Sequence, residues 1–121
     1  MNERVQFITA EDNSIDLIVS YAIEDSSLGV KALLLHRVPS HEDIFDESER
    51  GVRVAMSEDT FEEEDFNFLS SISIFDGNIK IKTPYREYNL DISSVDESEV
   101  NDMRKILEKQ NFDKRFSIHD A

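Results

Sequence analysis

Ten residues near the middle of the chain decide the fold, and they read Ile72-Ser73-Ile74-Phe75-Asp76-Gly77-Asn78-Ile79-Lys80-Ile81. Apolar and polar side chains alternate on both sides of Asp76-Gly77, which is the period of a half-buried β-strand. Asp-Gly is favoured in a two-residue type I′ turn, because both central residues of that turn need a positive φ. The stretch therefore predicts a β-hairpin. Its register pairs the isoleucines of the two strands, Ile74 with Ile79 and Ile72 with Ile81.

A third strand follows the hairpin. After Pro84 the apolar residues Tyr88, Leu90 and Ile92 recur at every second position. A short loop keeps this parity, so Ile79 and Ile81 are expected to face Leu90 together with Tyr88 or Ile92. We predict a three-stranded antiparallel meander.

A helix is predicted over residues 97–109. Asp96 is placed to cap it, and Glu99 stands at the third helical position, where it completes a capping-box-like pair. The apolar stripe comprises Val100, Met103, Ile106 and Leu107. Acidic residues crowd the start of this segment and lysines lie near its end, as the helix dipole favours.

The first half of the chain also has the pattern of strands. Val5 and Phe7, and with them Thr9, alternate with polar neighbours, and residues 15–21 give four clean steps of period two. Residues 30–38 are more continuously apolar, which is typical of a central strand covered on both faces. Pro39 ends this strand because proline lacks the ladder donor. Val52, Val54 and Met56 alternate again.

Together these elements predict one α+β domain over residues 1–121: a largely antiparallel sheet of about six or seven strands with a C-terminal helix packed on one face. Phe112 and Phe116 are expected to fold back onto the core, and residues 119–121 to fray. Cysteine is absent, so we expect no disulfide framework. The first residues show no basic segment followed by an apolar one, so we expect no signal peptide. No apolar run approaches 18 residues, so we expect no membrane span.

The negative charge is concentrated in one part of the chain. The formal net charge is −14, and residues 41–65 contribute 11 acidic and two basic residues, or −9. Residues 104–121 reverse the balance with five basic and three acidic residues. Such a charge distribution attracts cationic partners and repels nucleic acid and anionic lipid. The composition therefore favours a basic protein as partner. An acidic composition is also found in proteins that need it only to stay soluble.

Catalytic and metal-binding patterns are absent from the sequence. The three histidines are His36, His41 and His119, and no G-x-S-x-G elbow accompanies them. With three glycines and no phosphate-binding loop motif, nucleotide chemistry is not indicated. The nearest approach to a calcium loop starts at Asp46, but it places Arg50 at a ligand position and Ser57 where a glutamate is needed. We predict a protein without enzyme activity, metal or cofactor.

Two acidic stretches are the candidate contact surface. Their carboxylates could pair with arginine and lysine side chains and accelerate association. Equally, both stretches could be solvated loops with no partner. The predicted contact residues are Glu42, Asp43, Asp46 and Glu47 in the first stretch and Glu58, Asp59, Phe61, Glu62, Glu63, Glu64 and Asp65 in the second. A sheet edge that accepts a partner strand stays open as another binding mode.

The order of these pieces resembles a known family. The strand Leu33-Leu34-Leu35-His36-Arg37 is followed by an acidic loop, by Gly51-Val52-Arg53-Val54, by the strands at residues 79–81 and 88–91, and by a helix ending in Met103-Arg104-Lys105-Ile106-Leu107. This layout, over residues 30–116, is similar to the small acidic immunity proteins of bacterial polymorphic-toxin and contact-dependent growth inhibition systems, in particular the immunity protein 10 type. The resemblance implies a cytoplasmic protein that binds one cognate toxin and blocks it. It carries over no particular functional residue.

We therefore predict a cytoplasmic immunity protein that neutralises a cognate basic toxin, such as a nuclease, through its acidic loops. It is expected to bind no nucleic acid and no membrane, and both a monomer and a homodimer are compatible with the sequence. The alternatives are an acidic secretion chaperone or adaptor, and a nucleic-acid mimic that inhibits a DNA-binding protein.

Overall fold

Eight strands and one α-helix follow one another in the computed structural model, which describes residues 3–25, 29–56 and 67–120. The elements in chain order are β1 (Glu3–Asp12), β2 (Leu17–Asp25), β3 (Gly29–Arg37), two short 3₁₀ helices (Pro39–Ile44 and Glu47–Glu49), β4 (Arg53–Met56), β5 (Ser71–Phe75), β6 (Asn78–Lys82), β7 (Glu87–Asp91), α1 (Glu97–Gln110) and β8 (Ser117–Asp120). The α+β class is as predicted, but the sheet has eight strands rather than six or seven.

The eight strands form one sheet in the order β4-β3-β2-β1-β7-β6-β5-β8. Neighbours are antiparallel except for two parallel pairs, β1 with β7 and β5 with β8. The β1–β7 pairing is short and joins Glu3 and Arg4 to Leu90 and Asp91. The largely antiparallel sheet expected from the sequence is thus confirmed.

The predicted meander is formed by β5, β6 and β7. The turn residues Asp76 and Gly77 have φ values of 47° and 73°, as a type I′ turn requires. The register confirms the predicted pairs: Ile74 with Ile79, Ile72 with Ile81, Ile79 with Leu90 and Ile81 with Tyr88.

The helix α1 extends one residue beyond the predicted end and contacts β1 and β2. Its predicted stripe is buried, and the Tyr21 hydroxyl of β2 donates a hydrogen bond to Met103 Sδ at 3.1 Å. The expected capping box is wrong, because Asp96 makes no side-chain cap. Glu99 instead accepts a hydrogen bond of 2.7 Å from the backbone N–H of Ile8. The Glu99 carboxylate thus binds a backbone donor of β1 and not the start of its own helix.

His119 and Asp120 are not frayed, and α1 is not the last element, while Ala121 lies outside the described residues. Residues 117–120 form β8 beside β5, and Asp120 forms an ion pair with Arg104 of α1 at 2.6 Å. A four-residue strand with one partly buried side chain, Ile118, has little sequence signal of its own. Pairing with a strand more than 40 residues earlier decides its structure.

The sheet curls so that β4, at one end of the strand order, meets the chain that leads into β5. The Val54 N–H donates to the Asn67 carbonyl at 2.9 Å, and the Leu69 N–H donates to the Val52 carbonyl at 2.8 Å. The core combines the inward-facing side chains of the strands with the buried stripe of α1.

Three predictions in the first half of the chain are wrong, and the first of them fails because only one face of β3 meets the core. In β3 the burial alternates, so that Leu33 and Leu35 are buried while Leu34 is exposed. A bulge between Val5 and Phe7 changes the parity of β1, which buries Ile8 and exposes Phe7. Ile15 also lies outside β2 and is exposed.

Candidate functional site

A buried guanidinium lies at the end of β3. The side chain of Arg37 is fully enclosed, since Arg37 shares the inward parity of Leu33 and Leu35. Its Nε and Nη2 donate to Glu42 at 2.9 and 2.7 Å, and its Nη1 and Nη2 donate to Asp113 at 2.8 Å each. Nη1 also donates to the Gln110 carbonyl at 2.8 Å. All five N–H groups of the guanidinium are therefore used, and Arg37 has none left for a ligand.

We call Arg37, Glu42, Gln110 and Asp113 the Arg37 cluster, in which two carboxylates balance the charge of the buried guanidinium. Burial would lower the pKa of Arg37, but the hydrogen bonds to Asp113 and Glu42 outweigh it and raise that pKa above its ordinary value. The hydrogen bond from Arg37, with help from Arg115, lowers the pKa of Asp113 from 3.8 to about 2. The ring of Phe112 lies 4.3 Å from the Arg37 Cζ, so the guanidinium is also covered by an aromatic face. Phe112 was expected in the core, but the residue is 58% exposed.

The Arg37 cluster joins three parts of the chain that are far apart in sequence. Glu42 belongs to the 3₁₀ segment and also accepts from the Gly51 N–H at 3.4 Å. Gln110 is the last residue of α1 and Asp113 lies in the turn that follows it. Gln110 Nε2 donates to the Leu17 and Leu35 carbonyls at 2.9 and 3.0 Å. The acidic segment 39–50 is therefore held against the sheet and the helix.

Glu42 was predicted as a contact residue of the first acidic stretch, but the structure buries it. It is 8% exposed, and both of its carboxylate oxygens are bonded to Arg37. Its role is structural, and it is not a free acid of the surface. The signal that could have found this pair is the parity of β3, in which Arg37 follows two buried leucines at steps of two.

The other three acids of the first stretch are exposed. Among the described residues, the carboxylates of Asp43 and Asp46 have no ion-pair partner. Glu47 is held loosely by Arg115 at 3.7 Å, with 88% of its side chain exposed. The second stretch, with Glu58, Asp59, Phe61, Glu62, Glu63, Glu64 and Asp65, lies outside the described residues.

Large apolar side chains are exposed between these acids, which the sequence prediction missed. Ile44 is 85% exposed and Phe45 is 38% exposed. Ile15 is exposed in the segment before β2, and Phe112 is exposed in the turn that follows α1. We call the surface formed by residues 13–16, 39–50 and 111–115 the acidic end.

The histidines show no catalytic arrangement in the part of the chain described. His36 Nε2 lies 2.7 Å from Asp16 Oδ1, and this hydrogen bond lowers the pKa of Asp16. His41 is exposed in the acidic segment, and His119 lies on β8. No group of three or more His, Asp or Glu side chains within residues 3–25, 29–56 and 67–120 could hold a metal ion.

Comparison with known proteins returned no relative: no protein-family model matches the sequence, and neither a curated protein nor a solved structure matches it significantly. The resemblance to immunity proteins therefore stays a prediction. Within the described residues, no helix has the length and apolar character needed to cross a membrane.

Proposed function

We propose that this protein is an inhibitor of the immunity type, which binds a basic toxin through the acidic end and blocks it. One observation carries the proposal: Ile44 and Phe45 are exposed beside Asp43 and Asp46, whose carboxylates have no ion-pair partner among the described residues, on a segment that the Arg37 cluster holds in place. The proposed action is binding in the cytoplasm and not catalysis.

An exposed apolar anchor surrounded by charges is the usual layout of an interface hot spot. Ile44 and Phe45 would supply most of the apolar area, while the carboxylates would select a cationic partner and accelerate the encounter. The ion pairs of Arg37 limit the motion of segment 39–50, so less conformational entropy is lost on binding. The sequence adds six further acids at residues 58–65, which strengthens the attraction for a basic surface.

The first test is complex formation with the product of the neighbouring reading frame, measured as affinity and as protection of cells that express it. A toxin as partner supports immunity, whereas a non-toxic secreted protein as partner indicates the chaperone alternative. The nucleic-acid mimic alternative predicts that a DNA-binding protein is bound instead.

The second test uses two variants with the same change in net charge. Reversal of Asp43, Asp46 and Glu47 to lysine should slow association about tenfold or more at low salt, and wild-type association should itself slow as salt rises. The control reverses three exposed acids elsewhere, Glu11, Glu24 and Asp102. Equal loss of association in both variants would show that only net charge matters, and that the acidic end is not the interface.

A third variant separates the apolar anchor from the charge. Ile44→Ala should weaken the complex by about 1–3 kcal/mol, mainly through faster dissociation. Its stability should change by less than about 0.5 kcal/mol, because Ile44 is exposed. Full affinity in this variant would place the interface elsewhere.

A further inference from the structure

A cavity of about 300 Å³ opens at the acidic end. The side chains that line it and matter here are His41, Phe45, Glu49, Arg53 and Phe68. Its volume is at the lower limit of the roughly 300–1,000 Å³ that ligand sites have. That size suits a single inserted side chain better than a cofactor.

Among the described residues that line the cavity, Glu49 has a carboxylate without an ion-pair partner. Arg37 and Glu42 also border it, but their charges cancel within the Arg37 cluster. Glu49 is half-buried and, among the described residues, has no hydrogen-bond or ion-pair partner for its side chain. A carboxylate that is partly removed from water without a partner favours a cationic ligand.

Two aromatic rings accompany this carboxylate, which specifies the cation further. Phe45 and Phe68 line the same cavity as Glu49, and a planar guanidinium can stack on a phenylalanine ring while it pairs with a carboxylate. The chain itself uses this arrangement nearby, since Arg37 lies 4.3 Å from the ring of Phe112 and is paired with carboxylates. A lysine ammonium lacks the flat face and the forked donors that this geometry rewards.

We infer that the cavity receives an arginine side chain of the basic partner, with its guanidinium paired to Glu49 and stacked on the ring of Phe68. This inference rests on the proposed function and names the partner residue that the acidic end recognises. The site commits to an arginine within a polypeptide and not to free arginine.

Arg53 is the competitor in this site. Its Cζ lies 5.9 Å from the centre of the Phe68 ring, near the outer limit of a cation–π contact. In the described part of the chain it has no carboxylate partner. The incoming arginine therefore displaces Arg53 from the ring, and removal of the Arg53 charge should strengthen binding. Removal of the Glu49 charge should thus weaken arginine binding, whereas removal of the Arg53 charge should strengthen it.

The experiment is an NMR titration of the whole protein with N-acetyl-arginine methylamide, followed through the backbone amides of Glu49 and Gly51. Saturable shifts are expected, and the neutral isostere N-acetyl-citrulline methylamide should bind at least about fivefold more weakly, since the charge-assisted pair is lost. Glu49→Gln should weaken the arginine probe about fivefold, and Arg53→Gln should tighten it severalfold. Glu97→Gln, at the far end of α1, removes the same charge and should leave binding unchanged.

Equal binding of the citrulline probe, absence of saturable shifts, or weaker binding by Arg53→Gln would overturn the inference. Tighter binding of free arginine than of the capped probe would overturn it as well, in favour of a small-molecule site. The titration needs no toxin, so it tests arginine binding in the cavity even if the proposed function fails. Conversely, if Ile44→Ala weakens the complex while Glu49→Gln does not, the proposed function stands and the arginine site does not.

Discussion

Asp113→Asn tests whether the Arg37 cluster stabilises the fold as its geometry indicates. The pKa of Asp113 is lowered from 3.8 to about 2, and its side chain is 28% exposed. A lowered pKa means that the ionised carboxylate stabilises the folded state, and a difference of this size corresponds to about 2 kcal/mol. The contribution is complete above pH 3.8 and is lost as the pH falls through the folded-state pKa.

The variant should therefore lose about 2 kcal/mol at pH 7, and the difference from wild type should shrink to about half by pH 3. Urea denaturation followed by circular dichroism at both pH values measures this. Asp43→Asn, which removes an exposed carboxylate without an ion-pair partner among the described residues, serves as the control and should change stability by less than about 0.5 kcal/mol. Equal stability of wild type and Asp113→Asn at pH 7 would refute the reasoning, and so would a difference that stays constant down to pH 3.

Three other substitutions test the fold. Glu42→Ala should cost about 3–5 kcal/mol in urea denaturation, because it leaves half of a buried guanidinium uncompensated; a cost below about 1 kcal/mol would show that water replaces the carboxylate. Gly77→Val should cost on the order of 1–3 kcal/mol, since it forces a β-branched residue to a φ of 73°, whereas Gly77→Asn should be milder; identical melting of the two variants would argue against the turn type. Leu107→Ala should cost roughly 2–5 kcal/mol because Leu107 is fully buried; unchanged stability would mean that α1 does not pack as described.

The acidic end shows how a stabilising cluster can prepare a binding surface. Arg37 and Glu42 are unavailable to a partner, yet they fix the segment on which Ile44 and Phe45 are exposed. Loss of the cluster should therefore lower both stability and the rate of productive association. A substitution at Ile44 should affect the complex alone.

Local signals were sufficient for the meander and for the helix. The Asp76-Gly77 turn and the 3.6-residue stripe from Val100 to Leu107 depend on residues close in sequence, so their prediction needed no tertiary information. The concentration of acids in residues 41–65 is likewise a property of the sequence alone.

Contacts between distant residues decided the rest. Glu42 and Asp43 are neighbouring acids with the same sequence pattern, but Glu42 is buried because Arg37 points inward beside the end of α1, where Asp113 lies 76 residues away. The capping role expected of Glu99 was lost to the backbone N–H of Ile8, 91 residues away. The strand β8 exists because β5 offers it a free edge. In each case the free energy of a buried charge or an unpaired backbone group depends on which partner the tertiary structure supplies, and a pattern of neighbours along the chain does not contain that information.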